Sequence, residues 1–187
     1  MKALLILRLY SGFESSVSSG KWAPSGAPTI YKLIESLDSG PHSLRIIFTC
    51  KESTKVCNGT IDQKISLEGL NCDVVQLAGE SKFPRWLGRL RWYASELRQT
   101  WKVWRDCHRY RPDIVYVDRG NLCCAGILAR LIRVPVVYRV MGISHSLRDT
   151  VSGLRPRQLL WRYLLRSPFA AVICTQDGTG GEICLER

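Results

Sequence analysis

Residues 111–140 read RPDIVYVDRGNLCCAGILARLIRVPVVYRV, and this stretch decides the fold. A β-rich apolar run at residues 113–117 leads into a helical pattern at residues 125–132, and a second β-rich run follows at residues 136–140. A strand, a helix and another strand in this order form a βαβ unit, whose strands lie parallel in one sheet. The stretch therefore predicts an α/β fold.

The same alternation extends to both ends of the chain. Residues 51–69 are polar, contain Asn58-Gly59 and predict a loop or small hairpin. The apolar patterns predict further strands at residues 3–9, 44–49, 73–77 and 170–175, and helices from about Pro28 and at residues 83–110 and 158–165. A chain of 187 residues is long enough for one domain with its own core.

The predicted helix at residues 83–110 has one apolar stripe, which we expect to pack on the sheet. Trp92 and Val103 are predicted to project away from this stripe, and Arg98 and Arg105 lie on a basic flank. Tryptophan and arginine on an outer face suit an anionic membrane surface, and a solvated basic face is the alternative. The stripe consists of Phe83, Trp86, Leu87, Leu90, Tyr93, Ala94, Leu97, Trp101 and Trp104.

Composition and charge narrow the class of protein. The apolar fraction of 45% and the charged fraction of 23% are ordinary for a globular protein and exclude disordered and fibrous chains. The net charge of +11 favours anionic partners such as phosphates, lipid headgroups or nucleic acid. Because no recognised nucleic-acid motif is present, nucleic acid is not expected as a partner. Arg130, Arg133 and Arg139 interrupt the longest apolar run, so no membrane span is expected.

The cysteines and the first residues indicate a cellular compartment. The eight cysteines include no C-x-x-C pair, so no metal site is indicated. Cys50 and Cys174 follow apolar stretches, where a free thiol behaves as a small core residue. Arg8 interrupts the first apolar run well before it reaches the length of a secretory signal. These features predict reduced thiols and a cytoplasmic protein, at the inner membrane face if the long helix binds lipid.

Ligands of open α/β sheets bind beyond the carboxyl ends of the strands. Asp118 and Arg119 lie at such an end, whereas Asp113 opens the same strand and is expected to be structural. Asp118 either contacts a ligand or caps a loop. His145 lies past residues 136–140 and either contacts a ligand or caps a surface segment. Asp177 follows the last strand and either reaches the crevice or begins a turn.

A glycine-bearing loop follows the first predicted strand. It contains Ser19-Gly20-Lys21-Trp22 and then Gly26, just before the helix that begins near Pro28. Glycine allows close approach of the backbone, and a helix N-terminus offers amide donors to an anion. The loop fits neither the Walker A pattern nor G-x-G-x-x-G, so no nicotinamide cofactor is predicted.

Taken together, these segments resemble the N-terminal domain of glycosyltransferase family 4 enzymes, which have the GT-B fold. The resemblance rests on residues 20–22 and 26–28, 111–118, 134–139 with Gly142, and 172–175. It implies a Rossmann-like parallel sheet flanked by helices, forming the acceptor-side domain at residues 1–187. It further implies retaining transfer from a nucleotide-diphosphate sugar to a glycan or lipid-linked acceptor, without a cofactor or metal.

The resemblance also assigns roles to residues. His145 and Asp118 are the expected catalytic residues. The residues expected to bind the donor phosphate or substrate are Ser19, Gly20, Lys21, Trp22, Arg119, Arg139, Gly142 and Asp177.

The resemblance has two departures and leaves an alternative open. Many members carry histidine where this chain has Met141, and the family's donor-binding acidic motif belongs to a C-terminal domain that would follow Arg187. We therefore expect the isolated chain to be inactive and a separate C-terminal domain to be its partner. The alternative is a non-catalytic module that binds a nucleotide, a phosphate or a membrane.

Overall fold

The computed structural model describes residues 1–26, 28–50, 62–77, 88–140 and 156–174. The strands are β1 (Lys2–Arg8), β2 (Ser43–Thr49), β3 (Gln63–Ile65), β4 (Asp73–Leu77), β5 (Ile114–Asp118), β6 (Val136–Val140) and β7 (Ala171–Cys174). The helices are α1 (Ser11–Ser19), α2 (Pro28–Asp38), α3 (Arg89–Tyr110), α4 (Leu122–Leu131) and α5 (Pro156–Leu165), with a 3-10 turn at Arg119–Asn121.

The strands form one seven-stranded sheet in the order β3-β4-β2-β1-β5-β6-β7. Neighbouring strands are parallel except β3, which runs antiparallel to β4. β1 lies at the centre, and six of its seven residues are buried. Such a continuous buried run is typical of a parallel strand covered on both faces. The predicted Rossmann-like α/β fold is confirmed.

Two hydrophobic layers cover the sheet, one on each face. Side chains alternate between the faces along a strand. Leu4 and Ile6 of β1 pack with residues of α3, α4 and α5, whereas Leu5 and Leu7 pack with residues of α1 and α2. The central strand therefore contributes to both layers.

The strand predictions agree with the structure to within about one residue, and the predicted helix start at Pro28 is confirmed. α1 was not predicted, because its sequence SGFESSVSS contains one large apolar residue among serines. Phe13 is fully buried and contacts the rings of Phe48 and Trp22. Burial of this aromatic ring outweighs the weak helix propensity of the serines.

The predicted orientation of α3 is wrong. In the stripe expected to pack on the sheet, Leu90, Leu97 and Trp101 are 65%, 54% and 53% exposed. Val103, expected on the outside, is fully buried. The inward face of the helix consists of Glu96, Gln99, Thr100, Val103 and Cys107. A largely polar face of the helix therefore packs on the sheet.

The cysteines also require a correction. Cys50 is disulfide-bonded, so the expectation of reduced thiols is wrong for this cysteine. Cys72, Cys107, Cys123 and Cys124 are free cysteines. None of the helices in the described ranges is long and apolar enough to cross a membrane.

The orientation of α3 can be tested with two alanine substitutions. Val103→Ala removes two methyl groups from the core and should lower the free energy of unfolding by about 2 kcal/mol. Leu97→Ala, on the exposed stripe, should change it by less than about 0.5 kcal/mol. Urea unfolding measures both values. The reverse order of the two effects would contradict the observed orientation.

Candidate functional site

The carboxyl ends of the central strands bring polar side chains together at one edge of the sheet. β1 ends at Arg8, β5 at Asp118, and Arg139 lies opposite Asp118 in β6. All three residues are buried. Because ligands of this fold class bind beyond these strand ends, we take this edge as the candidate site.

Arg8 is the centre of a buried network on the α3 side of this edge. Its Nη2 atom lies 2.7 Å from Glu96 Oε1 and donates at 2.8 Å to the Gly120 carbonyl. Its Nη1 atom donates to the Cys50 carbonyl and to Gln99 Oε1. Gln99 also donates to the Cys50 carbonyl at 2.9 Å. The network joins β1, the end of β2, the turn after β5 and α3.

This network explains why α3 presents polar residues to the sheet. A buried guanidinium is always charged, and removing it from water without a carboxylate partner is costly. Glu96 and Gln99 lie one helical turn apart and both contact Arg8. The helix therefore rotates its apolar stripe outward so that these two side chains reach Arg8.

Asp118 is held by groups of the chain itself. Its Oδ2 atom accepts from the Arg8 backbone N–H and its Oδ1 atom from Asn121 Nδ2, both at 2.7 Å. Asn121 in turn accepts from the Thr49 hydroxyl at 2.6 Å. Burial raises the pKa of Asp118, and the hydrogen bonds from Arg8 and Asn121 oppose that rise. These contacts join β1, β5 and the turn after β5, whereas Asp118 makes no side-chain cap hydrogen bond to that turn, and its catalytic role stays a prediction.

Arg139 lies on the α2 side of the same edge, opposite Asp118 in the register of β5 and β6 and across the sheet from the side chain of Arg8. Its Nη1 atom donates at 3.3 Å to the Tyr116 hydroxyl, and its Nη2 atom donates to Thr29 Oγ1. Its Nε atom is buried without a hydrogen-bond partner. This part of the edge therefore carries a buried cation whose hydrogen-bond partners are hydroxyl groups.

Tyr10 adds a second group without a partner to this part of the edge. Its hydroxyl oxygen is buried and makes no hydrogen bond. Burial and the charge of Asp118 raise the pKa of Tyr10, while the charge of Arg139 lowers it. The ring lies over Gly12 and Gly26, where added Cβ atoms would come within 2.5 Å and 3.9 Å of its Cε2 atom. Tyr10 therefore stands beside the entry to α2.

The roles expected for Ser19, Gly20, Lys21 and Trp22 stay predictions, and the structure shows how this loop is built. Gly20 ends α1 in the left-handed conformation, with φ of 70°, and the expected helix N-terminus follows at Pro28. The amide of Lys21 donates to Ser19 Oγ, and that of Trp22 donates to the Glu68 carbonyl. These amides are not free for a phosphate, and the helix N-terminus of this region is that of α2.

Of the remaining predicted site residues, some lie within the described part of the chain and some outside it. Arg119 lies at the same edge, in the turn after β5, and its carbonyl accepts from the Tyr138 hydroxyl at 3.4 Å. Gly142, His145 and Asp177 lie outside the described residues, so their roles stay predictions. The sequence reasoning missed Arg8, Tyr10, Thr29, Glu96 and Gln99. For Arg8 a signal was present, because a charged residue at the end of a buried central strand needs a partner.

Comparison with known proteins finds a matching family and structures of similar fold. A family model described as a glycosyl transferase 4-like domain matches residues 26–183, beginning after the loop that contains Gly20. UDP-GlcNAc 2-epimerase from Methanocaldococcus jannaschii is similar over 100% of this chain and 42% of its own, with a TM-score of 0.52 and 14% identity. The spinosyn rhamnosyltransferase SpnG complexed with thymidine diphosphate is similar over 97% of this chain and 47% of its own, with a TM-score of 0.48 and 14% identity.

No curated protein sequence matches this chain significantly. The chain spans less than half the length of either solved structure. At this identity, the first structure shows similarity of fold alone.

Removing the charge of Glu96 should destabilise the domain. Glu96→Gln leaves the Arg8 guanidinium buried without an anion and should lower the free energy of unfolding by about 3 kcal/mol. The matched control is Glu68→Gln, whose ion pair with Lys21 spans 3.5 Å between side chains at least 70% exposed. That variant should lose less than about 1 kcal/mol. Equal losses in urea unfolding would show that Arg8 does not depend on Glu96.

Proposed function

The chain belongs to the glycosyl transferase 4-like domain family, and from this premise we propose that it is the acceptor-side half of a glycosyltransferase. The reaction is transfer from a nucleotide-diphosphate sugar to a glycan or lipid-linked acceptor, with retention of configuration. The observation that carries the proposal is the group of buried polar side chains at the carboxyl edge, with Arg139 and Tyr10 beside the start of α2.

In this proposal, the edge acts by positioning the acceptor. The hydrogen bonds that hold Asp118 keep the ends of β1 and β5 together, so the site is rigid before a ligand binds. Arg139 and the Tyr10 hydroxyl retain hydrogen-bonding capacity for a ligand. Positioning of two reactants can remove roughly 7–11 kcal/mol from a reaction barrier. His145 and Asp118 are the proposed catalytic residues, and a second Rossmann-like domain is proposed to bind the donor.

The proposed separation of acceptor binding and donor binding into two domains can be tested directly. Purified residues 1–187 should release and transfer no sugar from a panel of nucleotide-diphosphate sugars, because only one side of the cleft is present. A second Rossmann-like domain, fused or added as a separate chain, should restore transfer. Repeated turnover by residues 1–187 alone would overturn the proposed division.

We also propose that the exposed stripe of α3 binds an anionic membrane surface. Leu90, Leu97 and Trp101 form this stripe, and the Arg105 guanidinium lies 4.8 Å from the Trp101 ring centroid. The two acidic residues of α3, Glu96 and Asp106, are already paired with Arg8 and Arg45. The charges of the outer face are therefore cationic, as anionic lipid headgroups require.

Vesicle binding tests this surface. Each basic residue near an anionic membrane contributes about 1 kcal/mol, so Arg98→Gln with Arg105→Gln should weaken binding on the order of 30-fold. Lys21→Gln with Lys32→Gln is the matched control, because these exposed lysines lie on the opposite face of the sheet. Cosedimentation with phosphatidylglycerol vesicles at low salt measures the difference. Equal binding to neutral phosphatidylcholine vesicles, or equal losses in both variants, would contradict the proposal.

A further inference from the structure

Arg139 is a buried cation without a direct ion pair in the described part of the chain; the buried carboxylate of Asp118 lies opposite it in the register of β5 and β6 and is held by Arg8 and Asn121. The residue is 3% exposed, and its two hydrogen bonds go to the hydroxyl groups of Thr29 and Tyr116. Burial raises the pKa of Tyr116, while the hydrogen bond and the charge of Arg139 lower it. Within the described residues, no carboxylate forms an ion pair with Arg139. The third donor group, Nε, is buried without a partner.

Two other arginines of the same sheet show how this chain normally compensates such a charge. Arg8 is paired with Glu96, and Arg45 is paired with both Asp73 and Asp106. A buried charge without a partner carries a large desolvation cost, and an orphaned buried donor requires an explanation. A ligand anion would supply both a direct ion pair and the missing acceptor.

The surroundings of Arg139 favour an anion independently. Thr29 lies in the first turn of α2, a helix of 11 residues, where backbone N–H groups lack partners within the helix and the dipole favours negative charge. The Tyr10 hydroxyl is buried without a hydrogen bond, and the Cε2 atom of its ring would lie 3.9 Å from a Cβ added at Gly26, just before α2. The guanidinium thus meets the first turn of α2 through Thr29, and a hydroxyl donor lies near the same helix end.

We propose that Arg139, together with Thr29 and Tyr10, binds one anionic group of the acceptor, a carboxylate or a phosphate. This inference rests on the proposed function, in which the ends of β5 and β6 form the acceptor side. One guanidinium balances about one negative charge, which suits a uronic acid carboxylate or the phosphate of a lipid-linked sugar. The planar fork of arginine matches either oxyanion with two parallel hydrogen bonds.

Thermal unfolding of residues 1–187 with simple anions tests the site. Sodium phosphate and sodium glucuronate are the probes, and sodium chloride at equal ionic strength is the reference. At ten times its dissociation constant, a bound anion should raise Tm by about 4 °C. Stabilisation by phosphate alone identifies a phosphate-bearing acceptor, and stabilisation by glucuronate alone identifies an acidic sugar. Stabilisation by neither probe would overturn the proposal.

Variants separate ligand binding from a structural role. Arg139→Met should abolish the anion response, because the proposed binding group is removed. The matched control Arg45→Met loses a paired arginine, so its Tm should fall while its anion response remains. A fall in Tm for Arg139→Met with an unchanged anion response would show that Arg139 is structural.

A second variant covers the case in which Arg139→Met does not fold. Arg139→Lys retains the charge but loses the fork, and it should bind phosphate or glucuronate at least about tenfold more weakly. An unchanged affinity in this variant would exclude the fork as the binding group. Because no sugar transfer is measured, a failure of anion binding leaves the proposed transferase activity standing, and the absence of transfer leaves the anion site standing.

Discussion

The structure depends on the positive charge of Arg8 at the end of the central strand. A guanidinium buried between a sheet and a helix must find an anion and several acceptors. Glu96 supplies the charge, and the carbonyls of Gly120 and Cys50 supply further acceptors. This requirement joins β1, β2, β5 and α3 at the edge where ligands bind in this class of fold. It also makes the edge rigid without a ligand.

The same requirement determines the outer surface of the domain. Because Glu96 and Gln99 point inward, the apolar residues Leu97 and Trp101 point outward. Hydrophobic periodicity alone predicts an amphipathic helix that buries these two side chains. The cost of an unpaired buried charge exceeds the gain from burying such side chains, which is roughly 1.5–3 kcal/mol each. The exposed apolar stripe of α3 thus results from the need to pair the buried charge of Arg8.

The two faces of the carboxyl edge differ in their electrostatic balance. On the α3 side, Arg8 is paired with Glu96. On the α2 side, Arg139 contacts hydroxyl groups and keeps one donor without a partner, and the hydroxyl of Tyr10 is likewise orphaned. The first face is satisfied by the chain, whereas the second retains capacity for a substrate. This contrast directs the proposed acceptor chemistry to the α2 side of a glycosyl transferase 4-like domain.

The sequence by itself determined the sheet, because the apolar runs that become β1, β4, β5 and β6 carry the same local signal in any context. It also placed Asp118 and Arg139 at the carboxyl edge, since strand direction follows from the βαβ pattern. The tertiary structure alone decided the helix at Ser11–Ser19, the inward face of α3 and the partners of Arg8. Burial of Phe13 and pairing of Arg8 with Glu96 join residues distant in sequence, and their free energies override local propensity and periodicity.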